Sequence, residues 1–456
     1  MVKLLFNIEW NYFDGNPHRF HQVNVLLYAL TCLLLFFILY EAFGKKLILP
    51  FLISLLFAVH PIHTEVVANI KSGDEILSLL GILIALRFIQ FYLRTHKVYY
   101  LVLGVIGFLI GSFSKESTVV AIAIFPLFIY YFTDADWKKN IILSSIMACC
   151  TFLFLFCRHQ SLKGYPESAP VSALDNYIVL CKEPAYAGTT AFASAVNTLG
   201  MYLKTFLYPH PLSCDYSFST LVPVGFGDPG FLFSFLLLIA MFVFSIWKFK
   251  QKSEIGFGFL LFFITMSITS NVFFLIGTSF GERLFFIPSL GLCIALLVGI
   301  AHFLRKESEE KNMMLVLQRS PLFIGLLVLV VVLCSYKTID RNTYWKSDFK
   351  LFSEDVQHYP NSTHLLFYMG NHLSGSEFAE NLELDIAENN LPIDLKDSVQ
   401  KANYQSIAML SKSLQIYPAL PSDGYNQLGK AYFNIGLIDS AQKYYLKAIS
   451  EDSTNP

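Results

Sequence analysis

Charged residues are scarce in this chain of 456 residues. They make up 15% of it, against roughly 25% in typical soluble domains, while hydrophobic residues make up 54% and phenylalanine alone occurs 44 times. So much apolar surface needs a non-aqueous environment, which excludes a disordered chain and a chain of soluble domains alone. The composition is that of a protein embedded in a membrane.

Paired cysteine motifs are also missing. The eight cysteines show no Cys-x-x-Cys spacing, which structural zinc sites and many redox centres use. Most of them lie in apolar runs, as small hydrophobic residues. Cys181 and Cys214 lie in a long polar loop, where a disulfide in an oxidising compartment and two free thiols are both open alternatives.

About ten apolar segments are candidates for membrane spans. A spanning helix needs about 20 mostly apolar residues, because the hydrocarbon offers no partner to a free backbone group. The segments are residues 23–43, 48–60, 76–93, 99–113, 118–132, 140–157, 230–247, 256–276, 284–304 and 321–336. Residues 187–207 carry polar side chains and are interpreted as an interfacial or re-entrant helix. The predicted fold is an all-α, polytopic membrane bundle.

Lysine and arginine are unequally distributed between the two sets of alternate loops. The richer set carries Lys45, Lys46, Arg94, Lys97, Lys138, Lys139, Lys248, Lys250, Lys252, Arg305, Lys306, Lys311 and Arg319. Basic loops favour the cytoplasmic side, so the other loops and the tail from residue 338 are predicted to face outward. This indicates a bacterial inner membrane with a periplasmic tail, or an endoplasmic reticulum membrane with a luminal tail in a eukaryote.

An even number of spans puts both ends of the membrane domain on the same side, so the amino terminus is predicted to face outward like the tail. Residues 1–20 have no apolar core that could act as a secretory signal. We therefore expect one further helix upstream, so that the chain begins within its first outer loop.

The tail differs from the body in charge and in pattern. From Asp340 onward it has 15 acidic and 9 basic residues, a net charge of −6, whereas the first 339 residues hold the other 19 and 24, a net charge of +5. Its last part has the spacing of a tetratricopeptide unit, at Tyr425, Leu428, Gly429, Tyr432, Gly436, Ala441, Tyr444 and Ala448. The sequence predicts a membrane domain at residues 1–337 and a helical-repeat domain at residues 338–456.

Stacked repeats build a concave surface that suits an extended peptide. Tyr425, Tyr432 and Tyr444 are the predicted peptide-binding residues of the repeat domain. The alternative is a cap or spacer with no ligand, since two or three repeats form only a small groove.

Polar side chains gather at the outer ends of the predicted spans, where charged groups are costly unless they are used. The set comprises His60, His63, Glu65, Asp74, Lys115, Glu116, His210, Asp215, Glu282 and Arg283. We predict that Arg283, Lys115, His60 and His63 bind a lipid phosphate through charge-assisted hydrogen bonds. Supporting roles fall to Glu282, Asp74, His210 and Asp215.

Each of these groups also has a structural interpretation. His60 and His63 with Glu65 have a spacing compatible with metal ligation, but hydrogen bonds to a helix end are favoured over it, and no metal is predicted. Lys115 and Arg283 could anchor helices at the interface, and Asp74 could favour a helix amino terminus.

An ordered set of segments carries a family likeness. These are FAVHPIHTEVVANIKSGDE, SKES, YLKTFLYPHPLSCDYSF, GERLFFIPSLGL and RNTYWKSDFKLF. In order and polarity they resemble the transmembrane and tetratricopeptide-repeat O-mannosyltransferases, from about Glu9 to the end. The resemblance implies a GT-C glycosyltransferase fold, a polyprenyl-phosphate sugar donor, and a Ser/Thr hydroxyl of a translocated protein as acceptor. It also implies inversion at the anomeric carbon, with an acidic residue of the first outer loop as base.

That acidic motif precedes, in the family, a stretch seen here as residues 16–21, NPHRFH. The expected base therefore lies upstream of Met1, and the remaining candidates are Glu9, Asp14, Glu65 and Glu116.

The first functional hypothesis is a protein O-glycosyltransferase, presumed from the resemblance to transfer mannose, that needs no cofactor and no nucleic acid. Its partners would be membrane lipids, the polyprenyl-phosphate sugar and a protein acceptor held by the repeats. The alternatives are a membrane-anchored repeat scaffold without catalysis, and a transferase acting on a glycolipid.

Overall fold

The computed structural model describes residues 2–164, 170–216, 218–308, 321–375, 378–380, 394–417 and 422–451. Across these residues the chain is helical, and extended pairing is limited to an isolated bridge between Phe218 and Leu221. The predicted all-α class is confirmed. The helices are α1 Val2–Phe13, α2 Pro17–Ala42, α3 Ile48–Val59, α4 Thr64–Ala68, α5 Gly73–Thr95, α6 Val98–Ser112, α7 Ala121–Phe132, α8 Trp137–Leu162, α9 Ala191–Leu207, α10 Pro229–Trp247, α11 Glu254–Met266, α12 Phe286–Ser308, α13 Pro321–Asn342, α14 Asp348–His358, α15 Thr363–Ser374, α16 Leu395–Ile416, α17 Ser422–Asn434 and α18 Ile438–Glu451.

Apolar helices long enough to cross a membrane form the first part of the chain. Among the described residues six helices qualify by length and composition, and there are seven if the bent pair Ile48–Val59 with Pro61–Ala68 is counted as one span. Three shorter apolar helices occupy other predicted segments, at Val98–Ser112, Glu116–Phe132 and Glu254–Met266. The chain is thus a polytopic membrane protein, as predicted.

Glycine allows two helix pairs in the bundle to approach closely, as is common between membrane helices. A Cβ on Gly258 of α11 would lie 2.5 Å from the carbonyl oxygen of Gly291 on α12, and a Cβ on Gly291 would lie 2.4 Å from that of Gly258. Gly81 of α5 stands in a similar relation to Gly107 and Gly111 of α6. A side chain at these positions would force the backbones apart.

One predicted span is shorter in the structure than in the sequence analysis. The apolar segment 256–276 is helical only to Met266, after which Asn271 adopts a left-handed conformation with φ 58°. Its side-chain oxygen accepts hydrogen bonds from the backbone N–H of Ile276 and from Asn176 Nδ2, both at 2.9 Å. These bonds replace the helical ones, so the chain turns and leads into the loop before Arg283.

The long loop between α8 and α10 contains α9, whose inner face packs on α10. This helix is not among the candidate spans of the described residues. Cys181 and Cys214 are both free thiols. The disulfide alternative is therefore wrong.

Helical hairpins form the tail. Helix α15 pairs with α16, and α17 pairs with α18, in agreement with the predicted helical-repeat tail. At Gly429 the helices approach so closely that a Cβ would lie 2.8 Å from the ring of Tyr445. The predicted domain boundary at residues 337 and 338 falls inside α13, which continues to Asn342.

Candidate active site between the membrane helices and the repeats

A polar cavity of about 520 Å³ lies where the ends of the membrane helices meet the first repeat helices. The membrane helices contribute Glu65 and Arg283, and the long loop contributes Asp175 and Asp215. From the repeat side come Trp345, Asp348, Phe352, His364 and Tyr368. Three of the predicted site residues, Glu65, Asp215 and Arg283, therefore share one cavity.

An ion pair between Glu65 and Arg283 forms the membrane side of the cavity. Pro61 follows α3 and starts a short 3-10 turn, which places Glu65 at the beginning of α4. Glu65 Oε1 accepts a hydrogen bond from Arg283 Nη1 at 2.6 Å, and Oε2 accepts one from the backbone N–H of Arg283 at 2.9 Å. The Glu65 side chain is 2% exposed, whereas that of Arg283 is 39% exposed. The arginine therefore offers further N–H donors to the cavity.

His60 and His63 lie beside this ion pair but do not line the cavity. His60 Nε2 donates to the carbonyl oxygen of Phe206 at 3.0 Å, and its Nδ1 accepts from the N–H of Ile62 at 3.3 Å. His63 Nδ1 donates to the Phe57 carbonyl at 2.8 Å, and its Nε2 lies 2.8 Å from Ser289 Oγ. Both nitrogens of each ring are thus used within the fold. The contacts favour a role in fixing the bend after α3 over phosphate binding.

Lys115 forms a second cationic group with the start of α5. Its Nζ lies 2.8 Å from Asp74 Oδ2 and 3.1 Å from Glu75 Oε1. Burial alone would lower the pKa of Lys115, but Glu75 and Asp74 raise it overall, so the side chain is a stable cation. It does not line the cavity. Its predicted role in phosphate binding stays a prediction, as does the supporting role of Asp74.

Asp215 connects the loop to the repeat domain. Its Oδ2 accepts a hydrogen bond from Ser362 Oγ at 3.0 Å, and His364 Nδ1 lies 3.2 Å from its Oδ1. The other ring nitrogen of His364 is 3.8 Å from Asp175 Oδ1. Burial alone would lower the pKa of His364, but Asp215 and then Asp175 raise it overall. The imidazolium form of His364 is therefore stabilised between two carboxylates.

Two buried carboxylates fix the loop that carries Asp215. Glu282 Oε1 accepts hydrogen bonds from the N–H of Ser213 at 2.8 Å and from the hydroxyl of Tyr216 at 2.7 Å. From the repeat side, Asp355 Oδ2 accepts the N–H of Cys214 at 2.7 Å. Glu282 therefore acts on the cavity by holding this loop in place. Its supporting role stays a prediction.

The other predicted residues lie outside the cavity. Glu116 is largely exposed and pairs with Arg158 at 2.9 Å, and His210 packs against His358, with ring centroids 5.5 Å apart. Glu9 belongs to α1. Asp14 is in the turn that follows it, with φ 50°.

The three tyrosines predicted to bind peptide differ in exposure. Tyr425 is buried, with Lys447 Nζ 4.2 Å from the centre of its ring. Tyr432 and Tyr444 are partly exposed and stacked, with ring centroids 5.4 Å apart. Peptide binding stays a prediction for all three.

Asp175, Trp345, His364 and Tyr368 were not predicted as site residues. His364 lies 149 residues from its partner Asp215 in the sequence, and no local motif links the two. Asp175 lacked a signal of its own, because a single carboxylate in a polar loop is usually a solvated residue.

These features together define a multi-spanning helical membrane protein with a helical-repeat tail. A polar cavity lies between its membrane helices and its repeats. Over 406 residues the chain is 26% identical to Protein O-mannosyl-transferase TMTC1 of Homo sapiens, a match that covers 78% of this chain and 44% of the relative. It is 24% identical over 394 residues to Protein O-mannosyl-transferase F38B6.6 of Caenorhabditis elegans, covering 83% and 51%. With Protein O-mannosyl-transferase TMTC3 of Homo sapiens the identity is 21% over 483 residues, covering 99% and 48%.

The predicted family is thereby confirmed: the chain is a relative of the transmembrane and tetratricopeptide-repeat O-mannosyltransferases. It spans about half the length of the curated relatives it matches. No family model matches the chain. No solved structure matches it either.

Proposed function

We propose that the chain transfers a sugar from a polyprenyl-phosphate donor to a protein hydroxyl, at the membrane face that carries the repeats. The observation that carries the proposal is the shared cavity, in which Arg283 at the end of a membrane helix faces His364 and Tyr368 of the repeat domain. The relatives are named protein O-mannosyl-transferases, which supports mannose as the sugar and a protein as the acceptor.

The donor phosphate is assigned to the Arg283 side of the cavity. A guanidinium binds phosphate through paired, charge-assisted hydrogen bonds, and Arg283 keeps more than a third of its side chain exposed. Glu65 holds this guanidinium in place through Oε1, and its Oε2 accepts the backbone N–H of Arg283. Arg283 would stabilise the negative charge that develops on the phosphate as it leaves.

In the reaction, the acceptor oxygen forms a new bond to the anomeric carbon while the bond from that carbon to the phosphate oxygen breaks. Polyprenyl phosphate leaves, and the hydroxyl proton passes to a carboxylate. Glu65 is engaged by Arg283, and Asp215 is engaged by Ser362 and His364. Asp175 has 49% of its side chain exposed. Asp348 also lines the cavity and is exposed. Asp175 and Asp348 are therefore the carboxylates of the cavity that are most accessible to an acceptor.

The acceptor is assigned to the repeat side. Trp345, Phe352 and Tyr368 offer aromatic surface in the cavity, and the partly exposed Tyr432 and Tyr444 pair offers more along the repeats. The lysine-rich loops support a cytoplasmic position for the opposite face, so the cavity would open to the lumen or the periplasm.

The proposal is tested by transfer from radiolabelled polyprenyl-phosphate mannose to protein in membranes that contain the chain. Arg283→Ala should lower the rate about 100-fold or more, as expected when a charge-stabilising donor is removed. Arg158→Ala is the matched control, because Arg158 is an exposed arginine outside the cavity and its loss should leave the rate unchanged.

Arg283→Lys separates folding from chemistry, because it keeps a cation beside Glu65 and should retain part of the activity. Undiminished transfer by Arg283→Ala would remove Arg283 from the site. Absence of transfer by the unmodified chain, with the repeats folded, would favour the scaffold hypothesis.

A further inference from the structure

A second cavity, of about 500 Å³, lies at the opposite end of the bundle from the candidate active site. Its walls are α7, α8 and the loop that joins α10 to α11. Helix α8 contributes Trp137, Asn140 and Ala148, α7 contributes Pro126 and Tyr130, and the loop contributes Lys252. The cavity therefore lies on the lysine-rich side of the membrane.

This cavity extends from the membrane surface into the hydrocarbon. Trp137 and Ala148, at its two ends on α8, are separated by about 16 Å along the axis at 1.5 Å per residue. That distance is about half of the 30 Å hydrocarbon core. The cavity thus has the depth of one leaflet.

Polarity changes along this depth. Lys252, Trp137 and Asn140 lie at the surface end with Ala135 and Ile141, and Ile122 and Ala148 lie at the inner end. The hydroxyls of Ser144 and Ser145 lie between the two ends. Tryptophan is typical of the membrane–water interface, and its place here agrees with the depth given by α8. The gradient matches a lipid molecule, with a polar headgroup above an acyl chain.

The wall of the cavity is fixed by a hydrogen bond between its two helices and by another within α8. Asn140 Nδ2 donates to the carbonyl oxygen of Pro126 at 3.1 Å, and Asn140 Oδ1 accepts from Ser144 Oγ at 3.0 Å. The first bond holds α8 to α7 beside the cavity, and the second lies within α8. They also satisfy polar groups that would otherwise face the hydrocarbon.

A positive charge stands at the mouth. Lys252 Nζ lies 4.9 Å from the centre of the Tyr130 ring, and among the described lining residues it carries the single charge. The two segments at the mouth, residues 134–139 and 248–254, contain more basic than acidic residues. They hold five lysines, Lys138, Lys139, Lys248, Lys250 and Lys252, and three carboxylates, Asp134, Asp136 and Glu254. Basic pockets of this kind between membrane helices suit anionic lipid headgroups.

We propose that this cavity binds one anionic phospholipid of the adjoining leaflet, with its headgroup at Lys252 and one acyl chain between Ile122 and Ala148. The site is independent of the transferase proposal, since the two cavities share no residue.

The headgroup part is tested by native mass spectrometry of the full chain in detergent, after addition of phosphatidylserine or phosphatidylcholine at equal concentration. The unmodified chain should retain phosphatidylserine in preference. Lys252→Gln should lower that preference about fivefold, as expected for one lysine at a charged membrane surface. Lys250→Gln is the matched control, because Lys250 is an exposed lysine of the same loop that does not line the cavity.

The chain part is tested by Ala148→Phe, which fills the inner end and should reduce retention of both lipids. Its control is Cys149→Phe, a neighbouring exposed position outside the cavity. Thermal unfolding of each variant shows that it is folded.

Equal retention of the two lipids by the unmodified chain, or equal effects of the two lysine substitutions, would overturn the assignment of an anionic headgroup. Equal retention by Ala148→Phe and Cys149→Phe would overturn the bound acyl chain. Displacement of the lipid by millimolar inorganic phosphate would identify a site for free anions and refute a lipid site.

Discussion

A buried ion pair between Arg341 and Asp355 connects the last membrane helix to the first repeat helix, and its loss should detach the two. Both side chains are almost completely buried, at 2% and 0% exposed. Arg341 Nη2 donates to Asp355 Oδ2 at 2.9 Å, and Nη1 donates to Oδ1. Asp355 also accepts the N–H of Cys214, so three segments of the chain meet at one carboxylate.

Arg341→Met removes the guanidinium and leaves the carboxylate buried. Removing one partner of a buried pair costs about 3–5 kcal/mol. We expect a value near the lower end, about 3 kcal/mol, because the N–H of Cys214 at 2.7 Å continues to stabilise the Asp355 charge. In the double variant Arg341→Met with Asp355→Leu most of this loss should be recovered, since the Asp355 charge is removed together with its partner.

The assay is the rate of proteolysis between the membrane helices and the repeats, together with thermal unfolding in detergent. Lys337→Met is the control, because Lys337 pairs with Asp340 on the partly exposed part of the same helix and such pairs contribute about 0–1 kcal/mol. Equal protease resistance of Arg341→Met and Lys337→Met would refute the reasoning, as would a double variant no more stable than Arg341→Met.

Two further predictions concern packing and pH. Gly291→Ala should destabilise the bundle by about 1–3 kcal/mol, because its Cβ would meet the Gly258 carbonyl at 2.4 Å. Gly299→Ala should be neutral in thermal unfolding, because its Cβ would meet Ile255 Cδ1 at an ordinary van der Waals distance of 3.9 Å. Since Asp215 and Asp175 raise the pKa of folded His364 above its ordinary 6.5, its stabilising contribution is fully present below pH 6.5 and is lost as the pH rises through the higher folded value. His364→Gln should remove this pH dependence from the proteolysis rate, and the exposed His358→Gln should not; an unchanged profile in His364→Gln would contradict the assignment.

The membrane helices could be predicted from the sequence because hydrocarbon imposes a simple requirement: a long apolar run with all backbone groups bonded internally. The prediction from this requirement placed the end of α11 at residue 276, whereas the helix ends at Met266. Residues 267–276 look apolar enough to continue the helix, but Asn271 supplies alternative hydrogen bonds to the backbone. The period of apolar residues does not reveal such side-chain competition.

Only some residues of the candidate site could be predicted from the sequence, and the difference between the two groups has a physical cause. Glu65, Asp215 and Arg283 were found because polar groups at the ends of spans are unusual in themselves. Asp175 and His364 are ordinary in their local sequence and become part of the site only through folding. For His60 and His63 the sequence indicated phosphate binding because both residues are polar. It could not show that both nitrogens of each ring already have partners within the fold.

The cavity depends on the repeat domain for its shape as well as for its wall. Asp215 is held by Ser362 and His364 of the repeats, and the preceding loop residues are held by Asp355 of the repeats and Glu282 of the membrane bundle. If the repeats were removed, Asp215 would lose its contacts with Ser362 and His364, and Asp355 would no longer hold the N–H of Cys214. A misplacement of about 1 Å in an active site can cost a factor of about 100 in rate. Under the proposed transferase function, the repeat domain would therefore be part of the catalytic unit.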